Sequence, residues 1–314
     1  MSNPLLTISI PTYNRADCIQ RMVRTILPQL TEEVALIVID NQSPYDVYTL
    51  FSEEEKQKFD LRRNDVNIGG DANIARCFEV AKSKWVWVLG DDDMIFPDSI
   101  SRILSIIKLN PDCAFVKFNS IYIGETVGIQ GFCKAMETRL QFQHSFFISE
   151  SVHNLEKTRG EMMAHYLYLS LAVGQILRVI HFLLNSEGEK CLFLKDKIIE
   201  DQGLELGWNG LYLIPRHLMM FDMFREYRKV FRDNIFREVS AFCLHTAGEM
   251  DIPFKEKWYY YRQVFNRYGF INTVRYNYRN LISLFLMHLI GKKIYKIIRL
   301  RLSDKYMDGS IHKK

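Results

Sequence analysis

Residues 85–93 read WVWVLGDDD, an apolar run that ends at a glycine and is followed at once by three aspartates. A short apolar run closed by glycine is typical of a strand that is buried on both faces of a parallel sheet. Ligands of open parallel sheets bind beyond the carboxyl ends of the strands. The sequence therefore predicts that Asp91, Asp92 and Asp93 lie at a ligand site.

Three further apolar runs, at residues 5–10, 34–39 and 113–118, predict strands of the same sheet, and the first is expected to end at Pro11. Apolar side chains at helical spacing predict helices over residues 15–27, 71–81 and 97–108, and a polar helix is expected over residues 46–58. Strands that alternate with such helices indicate an α/β fold with a mostly parallel sheet covered on both faces. The polar residues that follow the strands are expected to meet at one edge.

The pattern weakens after about residue 120. Residues 121–131 fit either a strand or a loop, residues 191–194 fit a short strand, and residues 216–250 fit helices. Residues 161–184 predict one long, mostly apolar helix. Because Gln175, Arg178 and His181 interrupt it, a buried helix is favoured over a bilayer span.

The composition excludes several classes of protein. With 314 residues, 48% hydrophobic and 13% aromatic, the chain can form a large core, which excludes a fibre, a disordered chain and a multi-pass membrane protein. The six cysteines are dispersed without C-x-x-C spacing, which argues against a zinc or dithiol redox site. Dispersed thiols and the lack of a secretory signal favour a cytoplasmic protein.

The net charge of +4 averages two unlike segments. Residues 250–314 contain fourteen Lys and Arg but four Asp and Glu, so this segment carries +10 and residues 1–249 carry −6. The basic segment is rich in aromatic residues, and its apolar run at 281–290 is too short to cross a bilayer. An amphipathic helix on an anionic membrane surface and a basic helix packed on the rest of the protein both fit. No RNA-binding motif accompanies these residues, so nucleic acid is not an expected partner.

The three adjacent aspartates indicate a metal. Carboxylates so close together repel one another unless a cation lies among them. A divalent metal that also binds a diphosphate relieves this repulsion. A solvated acidic turn is the alternative interpretation.

Four segments resemble, in order and spacing, the family 2 glycosyltransferases of the GT-A fold; they are residues 6–15 (LTISIPTYNR), 38–43 (VIDNQS), 67–76 (NIGGDANIAR) and 85–93. The resemblance implies a metal-dependent, inverting enzyme that transfers a sugar from a nucleotide-diphosphate donor to a glycan or lipid-linked acceptor. It implies a role in bacterial surface polysaccharide synthesis at the inner face of the cytoplasmic membrane. The expected regions are a nucleotide-sugar-binding half (1–120), an acceptor-binding half (121–249) and the basic tail (250–314).

The resemblance assigns the nucleotide to the ends of the first two strands. Pro11, Thr12 and Tyr13 match the loop that meets the base, where the tyrosine ring can stack. Asp40 matches the aspartate that accepts a hydrogen bond from the ring N–H of the base, which favours uracil, although thymine presents the same edge. Further positions assigned to the nucleotide are Arg15, Arg62 or Arg63, Asn67, Gly69 and Asp92.

Asp91 and Asp93 match the outer positions of the family's D-x-D motif. The resemblance implies that Asp91 lies near the ribose and the metal, and that Asp93 binds the metal, Mn²⁺ or Mg²⁺, which holds the diphosphate. A metal in this place acts as a Lewis acid, since negative charge develops on the leaving diphosphate.

An inverting reaction also needs a carboxylate that removes the proton of the acceptor hydroxyl. Glu200 and Asp201 resemble the Glu-Asp pair found late in many members of the family, although the usual spacing to a downstream Arg is absent. Asp201, with Glu200, is therefore predicted as the base. The alternatives, each also common on helix surfaces, are Glu150, Glu161 and His165.

Two other functions remain open from the sequence. A sugar-phosphate nucleotidyltransferase shares the layered α/β plan, but it needs a glycine-rich basic loop after the first strand, where this chain has Pro-Thr-Tyr-Asn. A non-catalytic scaffold that binds sugar nucleotides is disfavoured by the intact triplet of aspartates. The chain has no P-loop G-x-x-x-x-G-K, and Gly69-Gly70 is not a G-x-G-x-x-G phosphate loop.

Overall fold

A computed structural model describes residues 4–137, 144–200 and 210–290 of the chain. It divides into two compact units, residues 1–207 and residues 208–314. The first unit contains a mixed sheet with helices on both faces, and the described part of the second unit is helical. The α/β fold class with a helical C-terminal region is thus confirmed, whereas the division into donor and acceptor halves stays a prediction.

Eight strands form one sheet in the described residues. They are β1 (Leu6–Thr12), β2 (Val34–Asp40), β3 (Asp60–Arg63), β4 (Trp85–Val88), β5 (Cys113–Lys117), β6 (Gly124–Val127), β7 (Ser151–Asn154) and β8 (Lys190–Phe193). Their order is β3-β2-β1-β4-β7-β5-β8-β6. The first four in this order are parallel, β7 is antiparallel to β4 and β5, β8 is parallel to β5, and β6 is antiparallel to β8.

Alternate residues of β4 enter two cores, one on each face of the sheet. Trp87 lies in one core with Ile103, whereas Val88 lies in the other with Phe78. All four residues of β4 are buried, as expected for a strand that is covered by helices on both sides.

The helices of the first unit agree in part with the sequence periodicity. In the described residues they are Ala16–Ile26, Glu53–Lys56, Gly70–Val80, Ser99–Leu109, Gly128–Ala135, Leu155–Thr158, Met162–Leu167 and Gly174–Asn185. The helix expected over residues 46–58 is instead a 3₁₀ turn followed by a short helix that begins at a capping box of Ser52. The long helix expected over residues 161–184 is interrupted at Ala172, whose left-handed φ of 60° is incompatible with an α-helix.

β1 continues through Pro11, where the sequence predicted its end. The carbonyl of Ser9 accepts the hydrogen bond of Leu89 N just beyond β4. Because backbone groups two residues apart in a strand point the same way, the nitrogen of Pro11 faces the same side, beyond the end of β4. Because no strand of the described part of the chain lies opposite this nitrogen, the missing N–H of Pro11 costs the sheet no hydrogen bond. On the other side the carbonyl of Thr12 accepts from Asn41 N at 2.9 Å, so β1 carries Thr12 to the edge of the sheet.

Two strands lack the apolar pattern that predicts a strand. β3, at the edge of the sheet, has mostly exposed side chains. β7 is buried but polar, and its polar side chains are hydrogen-bonded both within the strand and to other elements, except that His153 Nδ1 has no partner among the described residues. Asn154 Nδ2 donates to the Cys113 carbonyl at 3.0 Å, and His153 Nε2 shares a hydrogen bond with Ser151 Oγ at 3.1 Å.

The described part of the second unit consists of helices. They are Gly210–Met223, Arg228–Phe231, Ile235–Glu249, Phe254–Tyr268 and Phe270–Ile290. The last two are separated by Gly269, whose φ of 92° is favoured by glycine. Among the described residues, no helix is both long enough and apolar enough to span a bilayer.

Candidate active site

The carboxyl ends of β1, β2 and β4 lie side by side. Thr12 pairs with Asp40 in the register of β1 and β2, and Ser9 pairs with Val88 in the register of β1 and β4. The polar residues that follow these three strands are therefore neighbours at one edge of the sheet, which agrees with the prediction from the sequence.

Side chains of the loop after β1 bind the acidic turn after β4. Thr12 Oγ1 donates to Asp91 Oδ2 at 2.7 Å. Arg15 Nη1 lies 3.0 Å from Asp91 Oδ1 and 2.7 Å from Asp92 Oδ2. Burial raises the pKa of the Asp91 carboxyl, and the bonds from Thr12 and Arg15 oppose this effect. The repulsion expected within the triplet is thus relieved in part by the chain's own arginine.

Asp93 has no ion-pair partner among the described residues, unlike Asp91 and Asp92. Its Oδ2 accepts a hydrogen bond from Ser149 Oγ, and Ser149 Oγ in turn accepts from Gly90 N at 2.9 Å. Burial raises the pKa of the Asp93 carboxyl, while the hydrogen bond from Ser149 lowers it. A partly buried carboxylate of this kind is stabilised most by an added cation.

Gly90 makes room for the carboxylates. A Cβ placed on Gly90 would lie 2.7 Å from Asp93 Oδ2 and 3.2 Å from Asp92 Oδ1. The first distance is shorter than any ordinary contact, so a larger residue would displace Asp93. The close approach of the Asp92 and Asp93 carboxylates therefore explains why a glycine occupies position 90.

Asp40 is fully buried at the end of β2, and the chain itself uses its carboxylate. Oδ1 accepts from Ser43 N at 2.9 Å and from Ser43 Oγ at 2.6 Å, and Oδ2 lies 2.9 Å from Arg63 Nη1. Of the two arginines left open by the resemblance, Arg63 makes this contact, whereas Arg62 pairs with Asp60 at 2.8 Å. A base N–H would add a fourth hydrogen bond, so the role of Asp40 as base reader stays a prediction.

Ser43 joins the loops that follow β1 and β2. Its Oγ accepts from Asn14 N at 2.8 Å, and both Asn14 and Gln42 have left-handed backbones, with φ of 54° and 62°. The neighbouring Tyr13 is 46% exposed, and Pro11 is half-buried. The tyrosine ring is therefore accessible for stacking on a planar ligand.

Four asparagines support the loop before helix Gly70–Val80. Asn41 Nδ2 donates to Asn67 Oδ1 at 2.7 Å, and Asn67 Oδ1 also accepts from Gly69 N at 2.9 Å. Asn64 Nδ2 donates to Asn41 Oδ1 and to Asn73 Oδ1. Asn67 and Gly69 are among the site residues predicted from the sequence. Asn41 and Asn64, which directly follow β2 and β3, and Asn73, which lies inside the helix, are not.

A polar cluster at the end of β5 supports Ser149. Lys117 is fully buried, and its Nζ lies 2.7 Å from Glu150 Oε2. Asn119 Nδ2 donates to Glu150 Oε1 at 2.6 Å. Burial lowers the pKa of Lys117 to about 8 against the opposing charge of Glu150. Because Glu150 follows Ser149 directly, this pair anchors the residue that holds Asp93. Neither Lys117 nor Ser149 is among the site residues predicted from the sequence.

Glu200 lies close to the acidic turn. Its N–H donates to the carbonyl of Met94, the residue after Asp93, at 2.7 Å, and the residues next to both form an antiparallel bridge. The Glu200 side chain is half-buried. Asp201 lies outside the described residues, so its role as base stays a prediction.

The three alternative bases make other contacts. Glu150 binds Lys117 and Asn119, as described above. Glu161 Oε2 lies 2.5 Å from His181 Nδ1. His165 is buried, and burial lowers its pKa to about 3, which is too low for a base that must bind a proton at neutral pH. These contacts favour structural roles for all three.

The acidic residues of the site do not by themselves form a complete metal cage. Over residues 4–137, 144–200 and 210–290, no three Asp, Glu, His or Cys side chains converge to hold a metal ion. Mg²⁺ sites commonly use one or two carboxylates together with substrate phosphates, and Asp93 fits this pattern. Asp91 is engaged by Thr12 and Arg15, and its role as a second ligand stays a prediction.

Known proteins match the first half of the chain. Residues 7–153 match the family described as Glycosyl transferase family 2. The abequosyltransferase RfbV of Salmonella typhimurium is 25% identical over 113 residues, 34% of each chain. The GalNAc(5)-diNAcBac-PP-undecaprenol beta-1,3-glucosyltransferase of Campylobacter jejuni is 26% identical over 122 residues, 38% of each chain. The match therefore spans little more than a third of the length of these relatives.

One solved structure is similar over most of the chain. The crystal structure of S. aureus TarS 1-349 in complex with UDP-GlcNAc has a TM-score of 0.57 and 12% identity, and it covers 91% of this chain and 92% of that chain. At this identity the likeness shows the fold alone.

Proposed function

Residues 7–153 belong to glycosyl transferase family 2, and from this premise we propose that the chain transfers a sugar from a nucleotide-diphosphate donor to a glycan or lipid-linked acceptor. The transfer is metal-dependent and inverts the anomeric carbon. The observation that best supports this function is the environment of the Asp93 carboxylate. This carboxylate lies at the end of a buried strand, held by Ser149 and without a cationic partner in the described part of the chain.

The nucleotide is bound over the ends of β1 and β2. The exposed ring of Tyr13 stacks on the base, and the loop held by Asp40, Ser43 and Arg63 lies next to it. Asp40 can accept from a ring N–H, so we propose a UDP-sugar as donor. The side chain of Arg63 is 41% exposed, which leaves part of its positive charge available to the nucleotide.

Mn²⁺ or Mg²⁺ fits the chemistry of Asp93, because both prefer oxygen ligands and share them with substrate phosphates. When bound, the metal supplies Lewis-acid stabilisation of the leaving diphosphate. Ser149 orients the Asp93 carboxylate, and Gly90 leaves the space for it. Arg15 offsets part of the negative charge of Asp91 and Asp92, which lowers the repulsion that a diphosphate would meet at this turn.

Asp201, with Glu200, takes the proton of the acceptor hydroxyl. The hydroxyl oxygen forms the new bond to the anomeric carbon while the bond from that carbon to the diphosphate oxygen breaks. The carboxylate accepts the released proton. The hydrogen bond from Glu200 N to the Met94 carbonyl supports this assignment, because it holds Glu200 beside the turn that contains Asp93.

A bacterial surface glycan is the proposed product. The two relatives are, by name, an abequosyltransferase and a glucosyltransferase for an undecaprenol-linked glycan. We extend this acceptor class, and a cytoplasmic location, to the present chain. The six cysteines are free thiols, as is usual in a reducing compartment.

Release of free nucleotide tests this function directly. The purified chain is incubated with UDP-, GDP- and CMP-sugars in Mn²⁺ and in EDTA. We expect release from a UDP-sugar in Mn²⁺ and no release in EDTA. Asp93→Asn should lower the rate by about 10²–10³-fold, in line with the loss of one preorganised charge. Asp98→Asn is the matched control, because Asp98 is an exposed aspartate that pairs with Arg102, and it should keep the wild-type rate.

Three results would contradict the proposal. One is the absence of metal-dependent release with every donor, and another is an equal rate for Asp93→Asn and wild type. Pyrophosphate release from UTP and a sugar phosphate would instead identify a nucleotidyltransferase. For the base, Asp201→Asn should lower kcat while the KM for the donor stays within about threefold, since the donor site is untouched.

A further inference from the structure

Helix Phe270–Ile290 presents a stripe of exposed apolar side chains. With about 100° between successive residues, seven of them lie within about 60° of one direction. They are Ile271, Val274, Tyr278, Ile282, Phe285, Leu286 and Leu289, each between 37% and 79% exposed. The stripe is about 27 Å long at about 1.5 Å per residue. Exposed apolar patches of this extent commonly mark an interaction surface.

The other side of the same helix packs inside the second unit. Thr273 and Asn277 are buried there, and Asn277 Nδ2 donates to Ser240 Oγ of helix Ile235–Glu249 at 2.8 Å. A surface helix normally turns its apolar side to the core and its polar side to water. Here the polar Thr273 and Asn277 are packed, whereas the seven apolar residues of the stripe are exposed, so core packing does not explain the stripe.

Cations border the stripe and no anion lies on the helix. Arg275 and Arg279 are exposed. At about 40° and 80° around the helix from Ile271, Arg275 lies inside one edge of the stripe and Arg279 lies just outside that edge. The helix sequence contains no Asp or Glu. The chain then continues with five cations within eleven residues, which are Lys292, Lys293, Lys296, Arg299 and Arg301.

The neighbouring helix, Phe254–Tyr268, also has exposed aromatic side chains. Phe254 stacks on His288 with ring centroids 3.9 Å apart, which joins the start of one helix to the end of the other. Trp258 and Tyr259 are 53% and 58% exposed. Tryptophan and tyrosine are favoured at the boundary between lipid headgroups and acyl chains.

We propose that the exposed stripe of helix Phe270–Ile290 lies in the surface of an anionic lipid bilayer, with its axis parallel to the membrane plane. The apolar side chains enter the headgroup boundary, and Arg275 and Arg279 bind anionic headgroups. This inference stands on the stripe and its charges alone, and it is independent of the glycosyltransferase function.

Two other occupants fit the observations less well. Two copies joined across the stripe would bring two sets of cations together, with no acidic side chain on either helix to neutralise them. RNA would use the cations and the aromatic rings, but it would leave Ile271, Ile282 and Leu289 in contact with water. A bilayer matches both the aliphatic residues and the positive charge.

Vesicle flotation with the full chain tests this surface. Vesicles of phosphatidylcholine with one quarter phosphatidylglycerol are compared with vesicles of phosphatidylcholine alone. We expect binding to the anionic vesicles to be at least about tenfold tighter, and to weaken in 0.5 M salt. The double variant Ile282→Glu and Phe285→Glu should bind them at least about tenfold more weakly. Leu109→Glu is the matched control, since Leu109 is an 80% exposed leucine on another helix, and it should bind like wild type.

The variants must keep their fold, which is checked by a melting temperature within about 3 °C of wild type, as expected for exposed positions. A second variant, Arg275→Glu with Arg279→Glu, should lose the preference for anionic vesicles while both apolar residues remain. Equal vesicle binding by the double apolar variant and wild type would overturn the proposal. So would a wild-type dimer in light scattering that this variant converts to monomer, or a tighter affinity for single-stranded RNA than for anionic vesicles.

Discussion

Replacing Lys117 by methionine tests the buried pair that supports the site. Lys117 is fully buried with its Nζ 2.7 Å from Glu150 Oε2. Burial lowers its pKa to about 8 in spite of that carboxylate, whereas a lysine in an unfolded chain has a pKa of about 10.4. At about 1.36 kcal/mol for each pKa unit, the difference corresponds to about 3 kcal/mol of the free energy of unfolding.

The sign of the effect follows from where the proton is bound. Below about pH 7 Lys117 is protonated in both states, and the cost of burying its charge is fully present. Between about pH 8 and pH 10.4 the folded chain has released the proton and the unfolded chain has kept it, so the free energy of unfolding rises with pH. Methionine binds no proton, so Lys117→Met lacks this rise. We expect the wild type to gain about 3 kcal/mol relative to the variant from pH 7 to pH 10.4.

Urea unfolding at several pH values in this range measures the difference. Trp85 and Trp87 are fully buried in the first unit, and their fluorescence reports on it when Trp208 and Trp258 are replaced by Phe in all proteins compared. Changes in other titrating groups cancel, because these groups are common to wild type and variant.

Lys108→Met is the matched control for the titration. Lys108 is a half-exposed lysine whose Nζ lies 2.7 Å from Glu33 Oε2, so this variant should show no comparable dependence on pH. A constant difference between wild type and Lys117→Met, within about 0.5 kcal/mol from pH 7 to pH 10, would mean that Lys117 keeps its proton. That result would refute the reasoning.

Three further predictions concern single side chains. Arg63→Ala leaves the buried carboxylate of Asp40 without its cation and should lower the free energy of unfolding by about 2–3 kcal/mol in urea titrations; a loss below about 0.5 kcal/mol contradicts this. Gly90→Ala displaces Asp93 and should weaken Mn²⁺-dependent donor binding in calorimetry by about 10–100-fold, and unchanged binding would disprove the packing role. Arg178 is fully buried, and its Nε and Nη2 lack hydrogen-bond partners in the part of the chain that is described. Arg178→Met should therefore leave the melting temperature unchanged or raise it, and a fall of more than about 5 °C argues for an unseen partner of the guanidinium.

The part of the site that lies at the carboxyl ends of β1, β2 and β4 was predictable because two sequence signals, an apolar run and a polar cluster after it, coincide at each of these strands. Each strand is mostly apolar and almost wholly buried, and each leads directly into polar residues. In a parallel sheet this order alone places Thr12, Asp40 and Asp91 at a common edge. The hydrogen bonds of Thr12 and Arg15 to Asp91 join loops that follow the neighbouring strands β1 and β4. The strand order therefore already brings these three residues close together.

The supporting side of the site could not be predicted in the same way. β7 is buried, but three of its four residues are polar, and local hydrophobicity does not identify a buried strand of this composition. Lys117 and Glu150 are each unremarkable in the sequence, since a lone Lys or Glu usually lies on the surface. They form an ion pair because β5 and β7 are neighbours in the sheet, and this neighbourhood is known from the structure alone.

The position of the Asp93 carboxylate is set both by the predictable strand β4 and by a residue next to β7. This bears on the predicted division of the first unit into donor and acceptor halves. The carboxylate itself follows β4 in the segment that resembles a nucleotide-sugar-binding half, but Ser149, which holds it, lies just before β7 and beyond residue 120. β7 pairs with β4 on one side and with β5 on the other. The geometry of Asp93 is therefore set by residues of the predicted acceptor half, so a change in β7 should alter metal-dependent donor binding as well as the acceptor side.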